Sequence, residues 1–189
     1  MENNVVIEEG AFVSDKAVIL GNSVIKKGAV IDEFSKIIDS VIEEGVNVSF
    51  SVIERSHVFK DAKIGNFSYV HDSIIKSGTV IGHSVEIKNS VIGENTYIKH
   101  LSYVGDANVG NNVNIGACTV FANYDGTKKN KTEVEDNVFI GSGSILVAPL
   151  KIKHNSFIAA GSTITEDVNE YDLAIARNKQ INKDKYLKG

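Results

Sequence analysis

Aliphatic residues recur every six positions from the start of the chain: Ile7, Val13, Ile19, Ile25, Ile31 and Ile37. Steps of five then mix with sixes through Ile42, Val48, Ile53, Phe59, Ile64, Val70, Ile75, Ile81, Ile87 and Ile92, and on through Ile98, Val104, Val109, Ile115 and Phe121. After one interruption the step of six returns at Val134, Ile140, Leu146, Ile152, Ile158 and Ile164. Neither the 3.6-residue period of an α-helix nor the two-residue alternation of an ordinary strand gives this pattern. A fixed internal period means a solenoid.

The physical reading is short. Each hexapeptide supplies one brief strand with a single inward aliphatic residue, then a turn. Three such strands close a triangular coil of about 18 residues, and roughly nine coils fit between Ile7 and Ile164. Stacking the coils pairs each strand with those above and below it and buries an aliphatic column on the axis. The period therefore predicts an all-β, single-stranded parallel β-helix, without fixing its hand. Gly, Asn and Asp in segments such as IGN, IGE and VGN are expected to fill turn positions with positive φ.

Two stretches leave the pattern. Residues 122–133, ANYDGTKKNKTE, cannot stay in the triangular wall and are expected to leave it as a loop, where solenoids carry function. Beyond Val168 the period ends, so 1–168 reads as the β-helix and 169–189 as a tail that caps the last coil or crosses to a neighbour. A bare final coil would present unpaired strand edges. The scaffold also carries one dense polar patch, between residues 98 and 124, with His100, Tyr103, Asp106, Asn114, Asn123 and Tyr124.

Composition excludes several function classes. The net charge is −4 and the lysines are scattered, so no basic footprint for nucleic acid exists. No run of 18 apolar residues occurs, and MENNVVIEEG lacks the basic and apolar regions of a signal peptide, which predicts a cytoplasmic protein with no membrane partner. The single cysteine, Cys118, rules out an intrachain disulfide; it falls where the repeat wants a small residue and is expected to be buried. Among the five histidines, His57, His71, His83, His100 and His154, the spacing suggests no close pair on adjacent coils. A three-histidine metal site, as in β-helical carbonic anhydrases, is therefore not expected.

The second half carries more specific motifs: HLSYVGDA, NIGACTVFANYDG, KKNKT, VFIGSGSILVAP, FIAAGSTIT and LAIAR. Together they resemble the acetyltransferase domain of the bifunctional bacterial enzymes that acetylate glucosamine-1-phosphate and then uridylylate it. The similarity runs from about residue 80 to Arg177, and more loosely back to about Ile25. It implies a hexapeptide-repeat acyltransferase, a left-handed helix, acetyl-CoA as co-substrate, no catalytic metal, and a homotrimer whose active sites lie between subunits. It also implies a small-molecule amino-sugar phosphate as acceptor, for cell-envelope precursor synthesis.

Position by position, the resemblance makes His100 the general base, a role that an imidazole with an ordinary pKa near 6.5 suits at cytosolic pH. Lys88, Tyr103 and Asn114 match acceptor-binding positions. Asn123 and Tyr124 match the reacting end of the acetyl-CoA site, where two donors would steady charge on the thioester oxygen. Ala117, Ser142, Ala160 and Arg177 match the coenzyme A groove, with the arginine facing its phosphates. Lys129 and Lys131 in the loop are further candidates for those phosphates.

Two departures stand out. No Gly-rich nucleotide-binding βα unit is present, so uridylylation is not expected. The family segment F-x-x-[LV]-R-P reads FSYVHD, which puts His71 where an arginine would hold the sugar phosphate. An imidazole does not replace a bidentate fork. Transfer chemistry is thus the firmer expectation and the acceptor the softer one; the alternative is a scaffold or regulatory homologue with a degenerate acceptor site.

Overall fold

A computed structural model describes residues 4–183, and the last part of the expected tail, 184–189, lies outside them. The described chain holds 28 short strands in three parallel sheets of nine, ten and nine strands, entered in strict rotation as far as Thr163–Ile164. The chain climbs as a triangular prism, first sheet to second to third and back to the first one coil higher. Register is continuous along each wall: Val24 pairs with Val41, Lys63 with Val80, and Tyr69 with Glu86.

The axis is filled as the period requires. Ile25, Ile31, Ile37, Ile42, Ile53, Ile64, Ile75, Ile81, Ile87, Ile92 and Ile98 are fully buried, and Phe121 fills the axis where the loop leaves. One position in the predicted column is wrong by a residue. Val58 points inward, while Phe59 stacks outside on His57 at 4.1 Å between ring centroids. The first coil is open to solvent among the described residues, with Ile7 half exposed.

The corners correct a second expectation. Positive φ falls two residues beyond the aliphatic-glycine pair, and much of it on residues other than Gly: Phe34, Phe50, Phe67, Leu101 and Cys118 line one corner, and Asp39, Arg55, Asp72, Asn89 and Asp106 another. The glycines of the IG and VG pairs serve close approach. A Cβ on Gly82 would run into the carbonyl of Lys99, and one on Gly116 would sit 2.7 Å from the Gly141 carbonyl carbon. They allow coils to stack at strand spacing.

Serines finish the wall. The hydroxyls of Ser23, Ser40, Ser56, Ser73 and Ser90 each accept the amide N–H of the next coil, ending at Ala107 N–H. Thr132 continues this column with a buried hydroxyl that has no partner.

The period ends near Val168, but the coil path does not. Val168 bridges to Ile152, and Leu173–Ala174 adds a tenth strand to the second sheet against Phe157–Ile158. The tail therefore closes the prism with a partial coil up to Ala176, whose N–H bonds the Ser162 hydroxyl.

Candidate active site

One vertical edge of the prism, between the second and third sheets, gathers much of the expected chemistry. His100 ends the strand Tyr97–His100 just before the left-handed corner at Leu101. Above it on the same edge stand Ala117, Ser142 and Ala160, each just before a positive-φ corner residue: Cys118, Gly143 and Gly161. Ladder bonds tie the levels: Cys118 N–H donates to His100 O at 3.3 Å, Gly143 N–H to Ala117 O at 2.7 Å, and Gly161 N–H to Ser142 O at 2.8 Å. Arg177 passes over the top, its Cδ 3.9 Å from where a Cβ on Gly161 would lie. His100, Ser142, Ala160 and Arg177 are exposed and Ala117 is half-buried. The edge above His100 is thus a shallow track of small side chains with a guanidinium at its end, which suits a long flexible thiol ester with phosphates at its far end.

The opposite edge of the third sheet is polar and closed. His71, Lys88 and Gly105 stack in register at the ends of successive strands. Above them, Asp106 is buried and accepts hydrogen bonds from the side-chain amides of Asn89 and Asn123. Asn123 also donates to the Tyr103 hydroxyl at 3.3 Å and accepts Asn130 N–H at 2.7 Å, which fixes the root of the loop.

Lower on this edge, His71 is nearly inaccessible. Its Nδ1 lies 2.9 Å from Asp72, its Nε2 3.7 Å from Glu86, and its ring stacks on Tyr69 at 4.3 Å. Arg55 pairs with both Asp72 and Glu54, and the Tyr69 hydroxyl donates to Glu54 at 2.7 Å. The Arg55 guanidinium first, and His71 second, hold the Asp72 carboxyl well below the usual carboxylate range.

The extruded loop is internally ordered. Asp125 accepts from Thr127 N–H and hydroxyl, Lys128 N–H and the Asn130 amide. These bonds, led by Lys128 N–H, hold its carboxyl well below the usual range. Tyr124 is exposed and donates its hydroxyl to Gly126 O at 2.7 Å.

Comparison with known proteins decides the family. Residues 32–115 match the model described as GlmU-like, C-terminal hexapeptide, and residues 131–166 match that for bacterial transferase hexapeptide repeats. The bifunctional protein GlmU of Clostridium novyi is 52% identical over 180 residues, covering 95% of this chain and 40% of that protein. GlmU of Carboxydothermus hydrogenoformans is 45% identical over 97% of this chain and 42% of its own length. The chain belongs to the GlmU-like C-terminal hexapeptide family. It spans about two fifths of the length of these curated relatives.

Among solved structures, the UDP-N-acetylglucosamine O-acyltransferase LpxA of Moraxella catarrhalis superposes with a TM-score of 0.59 at 19% identity, over 90% of this chain and 71% of that one. The Francisella novicida UDP-N-acetylglucosamine acyltransferase gives 0.53 at 16% identity, over 91% and 65%. The fold is accordingly the left-handed parallel β-helix.

Within this GlmU-like chain, the expected residues fall into three groups. His100, Ala117, Ser142, Ala160 and Arg177 share the edge described first. Lys88, His71, Asn123 and Tyr124 lie across the third sheet, at the far end of strands such as Tyr103–Gly105, a span of about 10 Å for three residues. Tyr103 lies on that sheet with its hydroxyl in the second group, where it accepts from Asn123 at 3.3 Å, and Asn114 faces outward on the second sheet. The second group lies across the width of the third sheet from the first. The two donors expected at the thioester, Asn123 and Tyr124, are both committed to bonds within the chain.

Three further results depart from the sequence reading. Cys118 is exposed, because it occupies a positive-φ corner and not the axis. His83 and His100 do form an adjacent-coil pair, in register with rings stacked at 6.2 Å. Their separation by one coil length in sequence was the available signal. Asp106, which links Asn89 and Asn123, was noted only as part of a polar patch; its position after a glycine at the corner gave no hint of burial. Among the described residues no group of three or more His, Cys, Asp or Glu is placed to hold a metal ion, and no helix is long and apolar enough to cross a membrane.

Proposed function

We propose that this chain transfers the acetyl group of acetyl-CoA to the amine of an amino-sugar phosphate, glucosamine-1-phosphate or a close relative, in the cytoplasm for cell-envelope precursor synthesis. The observation that carries the reading is the single edge on which His100 lies below Ala117, Ser142 and Ala160, with Arg177 at the top. The small side chains leave room for the pantetheine arm, and Arg177 meets the coenzyme A phosphates. The acyl end then arrives beside an exposed imidazole.

In the reaction the amine nitrogen attacks the thioester carbon, its proton passes to His100, and the carbon–sulfur bond breaks to release the coenzyme A thiolate, which takes that proton from His100 to leave as the thiol. His100 needs to be neutral to accept that proton. Lys88 is the cation assigned to the acceptor phosphate, with Tyr103 and Asn114 placing the sugar. Asn123 and Tyr124 act as the fixed root of the loop at the reacting end, and Lys129 and Lys131 extend the loop toward phosphate.

A homotrimer accounts for the distance between the His100 edge and the far edge of the third sheet. Two subunits meeting along flat prism faces place the far edge and loop of one beside the His100 edge of the other. A second reading, a scaffold with a degenerate acceptor site, draws on His71, which is closed between Asp72 and Glu86 and offers no fork to a phosphate. Thiol release from acetyl-CoA with a panel of amino-sugar phosphates separates the two. Turnover with glucosamine-1-phosphate or a relative supports the enzyme; release no faster than hydrolysis with every acceptor supports the scaffold.

A further inference from the structure

We propose that Asp106 is a positioning residue for acetyl transfer: it turns the side-chain amide of Asn123 so that the carbonyl oxygen, and neither N–H, faces the amine of the acceptor. The inference rests on the reading that places Asn123 at the reacting end of the site. Asp106 is buried, and its carboxylate oxygens accept from two side-chain amides, Asn89 on one and Asn123 on the other. A carboxylate oxygen has no hydrogen to donate, so each amide has to present its NH2 group to it.

The surroundings of Asn123 agree. Its Nδ2 lies 2.8 Å from where a Cβ on Gly105 would stand, so the nitrogen faces the wall of the third sheet. The second N–H goes to the Tyr103 hydroxyl at 3.3 Å. A hydroxyl either donates or accepts, so Tyr103 cannot by itself choose the direction of the amide. Both Asn123 donors are thereby used. Its Oδ1 has no partner among the described residues, and the one unpartnered side-chain atom closed to solvent there is Thr132 Oγ1. Asn123 is thus a buried residue that opens outward through a single oxygen. Lys88, assigned to the acceptor phosphate, is the register partner of Gly105 one coil below. The Tyr103 ring lies over Gly105, between the two.

Direction matters because of what an attacking amine offers. A neutral amine has two N–H groups and one lone pair. With one N–H on His100 and the other on Asn123 Oδ1, the lone pair is left to point at the thioester carbon. A reversed amide would present an N–H instead, which bonds that lone pair and withdraws it from attack. The hydrogen bond would still form, but to the wrong part of the nucleophile. Asp106 excludes that state from inside the wall, without touching the substrate. This replaces the donor role that the sequence suggested for the Asn123 side chain at the thioester oxygen.

The test sets the direction from position 89, which is exposed and outside the assigned site. Asp106→Asn removes the charge with little change of shape and leaves an amide free to face either way. Adding Asn89→Asp puts an acceptor on its NH2 side, so its oxygen still meets Asn123 and the native direction is kept. Adding Asn89→Lys puts a donor there, so its NH2 meets Asn123 and turns that amide round. In the full-length wild type, the Asn123 side-chain protons should exchange slowly with water by NMR, since both are bonded. Exchange as fast as in a free amide overturns the proposal before any substitution is made. Protection should persist in Asn89→Asp/Asp106→Asn and be lost in Asn89→Lys/Asp106→Asn. With glucosamine-1-phosphate and acetyl-CoA, kcat should stay within about threefold of wild type in the first pair and fall roughly ten- to a hundredfold in the second. KM for acetyl-CoA and Tm should match between them, and Asp106→Asn alone should fall between the two. Equal kcat in the two pairs overturns the proposal, because direction then has no effect. A difference confined to KM for acetyl-CoA overturns it too, by placing the oxygen on a pantetheine amide. A wild type that turns over no amino-sugar phosphate removes the reading of the site, while proton exchange still decides whether Asp106 sets the amide.

Discussion

Gly82→Ala tests the stacking geometry on which every site residue depends. Gly82 does not sit at positive φ, so the substitution adds no backbone strain of the left-handed kind. What it adds is a Cβ 2.5 Å from the Lys99 carbonyl carbon and 2.7 Å from its Cα, and nearer still to the carbonyl oxygen. Ordinary contact needs at least 3.4 Å, so the coils would have to part locally by well over half an ångström. That displacement stretches the neighbouring ladder bond, Leu101 N–H to His83 O at 2.9 Å, beyond useful length. Overpacking costs about 1–3 kcal/mol and each weakened bond about 0.5–1.5. The sum, about 2–4 kcal/mol, lowers Tm by roughly 5–15 °C in a chain of this size. Gly143→Ala is the comparison: at φ +70 with nothing nearer than 4.0 Å it costs only the positive-φ term, about 1 kcal/mol. Calorimetric melts of both variants decide the matter. If Gly82→Ala proves no more costly than Gly143→Ala, close approach is not what these glycines provide.

The remaining predictions concern chemistry. His100→Ala should lower kcat by roughly 10²- to 10⁴-fold with little change in KM for acetyl-CoA, measured by thiol release in protein of normal Tm. Asp125→Ala should free the loop, so that trypsin cleaves at Lys128, Lys129 or Lys131 far faster while Tm changes by less than about 2 °C, since the loop adds nothing to the buried axis. Asp72 has its pKa depressed in the folded state, so its contribution is present above the unfolded value near 3.9 and is lost as pH falls through the folded one. Asp72→Asn should therefore lower Tm at pH 7 and narrow the gap between pH 7 and pH 3 melts; an unchanged gap would show that the Arg55 and His71 contacts contribute nothing.

The prism was legible because its cause is written every six residues: one inward aliphatic per strand admits few other arrangements. The misplacement of Phe59 shows the limit of that reading. Where the step shortens to five, two adjacent apolar residues compete for the axis, and the smaller Val58 wins because its neighbours at that level are Ile42 and Ile75. The positive-φ corners were hidden because they tolerate Phe, Leu, Cys and Arg, so residue type gave no signal. The small-residue edge above His100 followed from motif resemblance and then proved to be one continuous column. The burial of His71 and Asp106 was not readable, since it depends on side chains one coil away, such as Glu86 and Asn89, that sequence order separates.

The most direct measurement of the central claim is calorimetric titration of acetyl-CoA into the wild type and Ala117→Phe. The substitution places a large ring on the edge directly above His100, at a half-exposed position that leaves the buried axis untouched. Saturable binding by the wild type, weakened at least about tenfold in Ala117→Phe with Tm unchanged, is the result expected if that edge carries the cofactor to His100. Equal binding by both proteins, or no binding by the wild type, would contradict it.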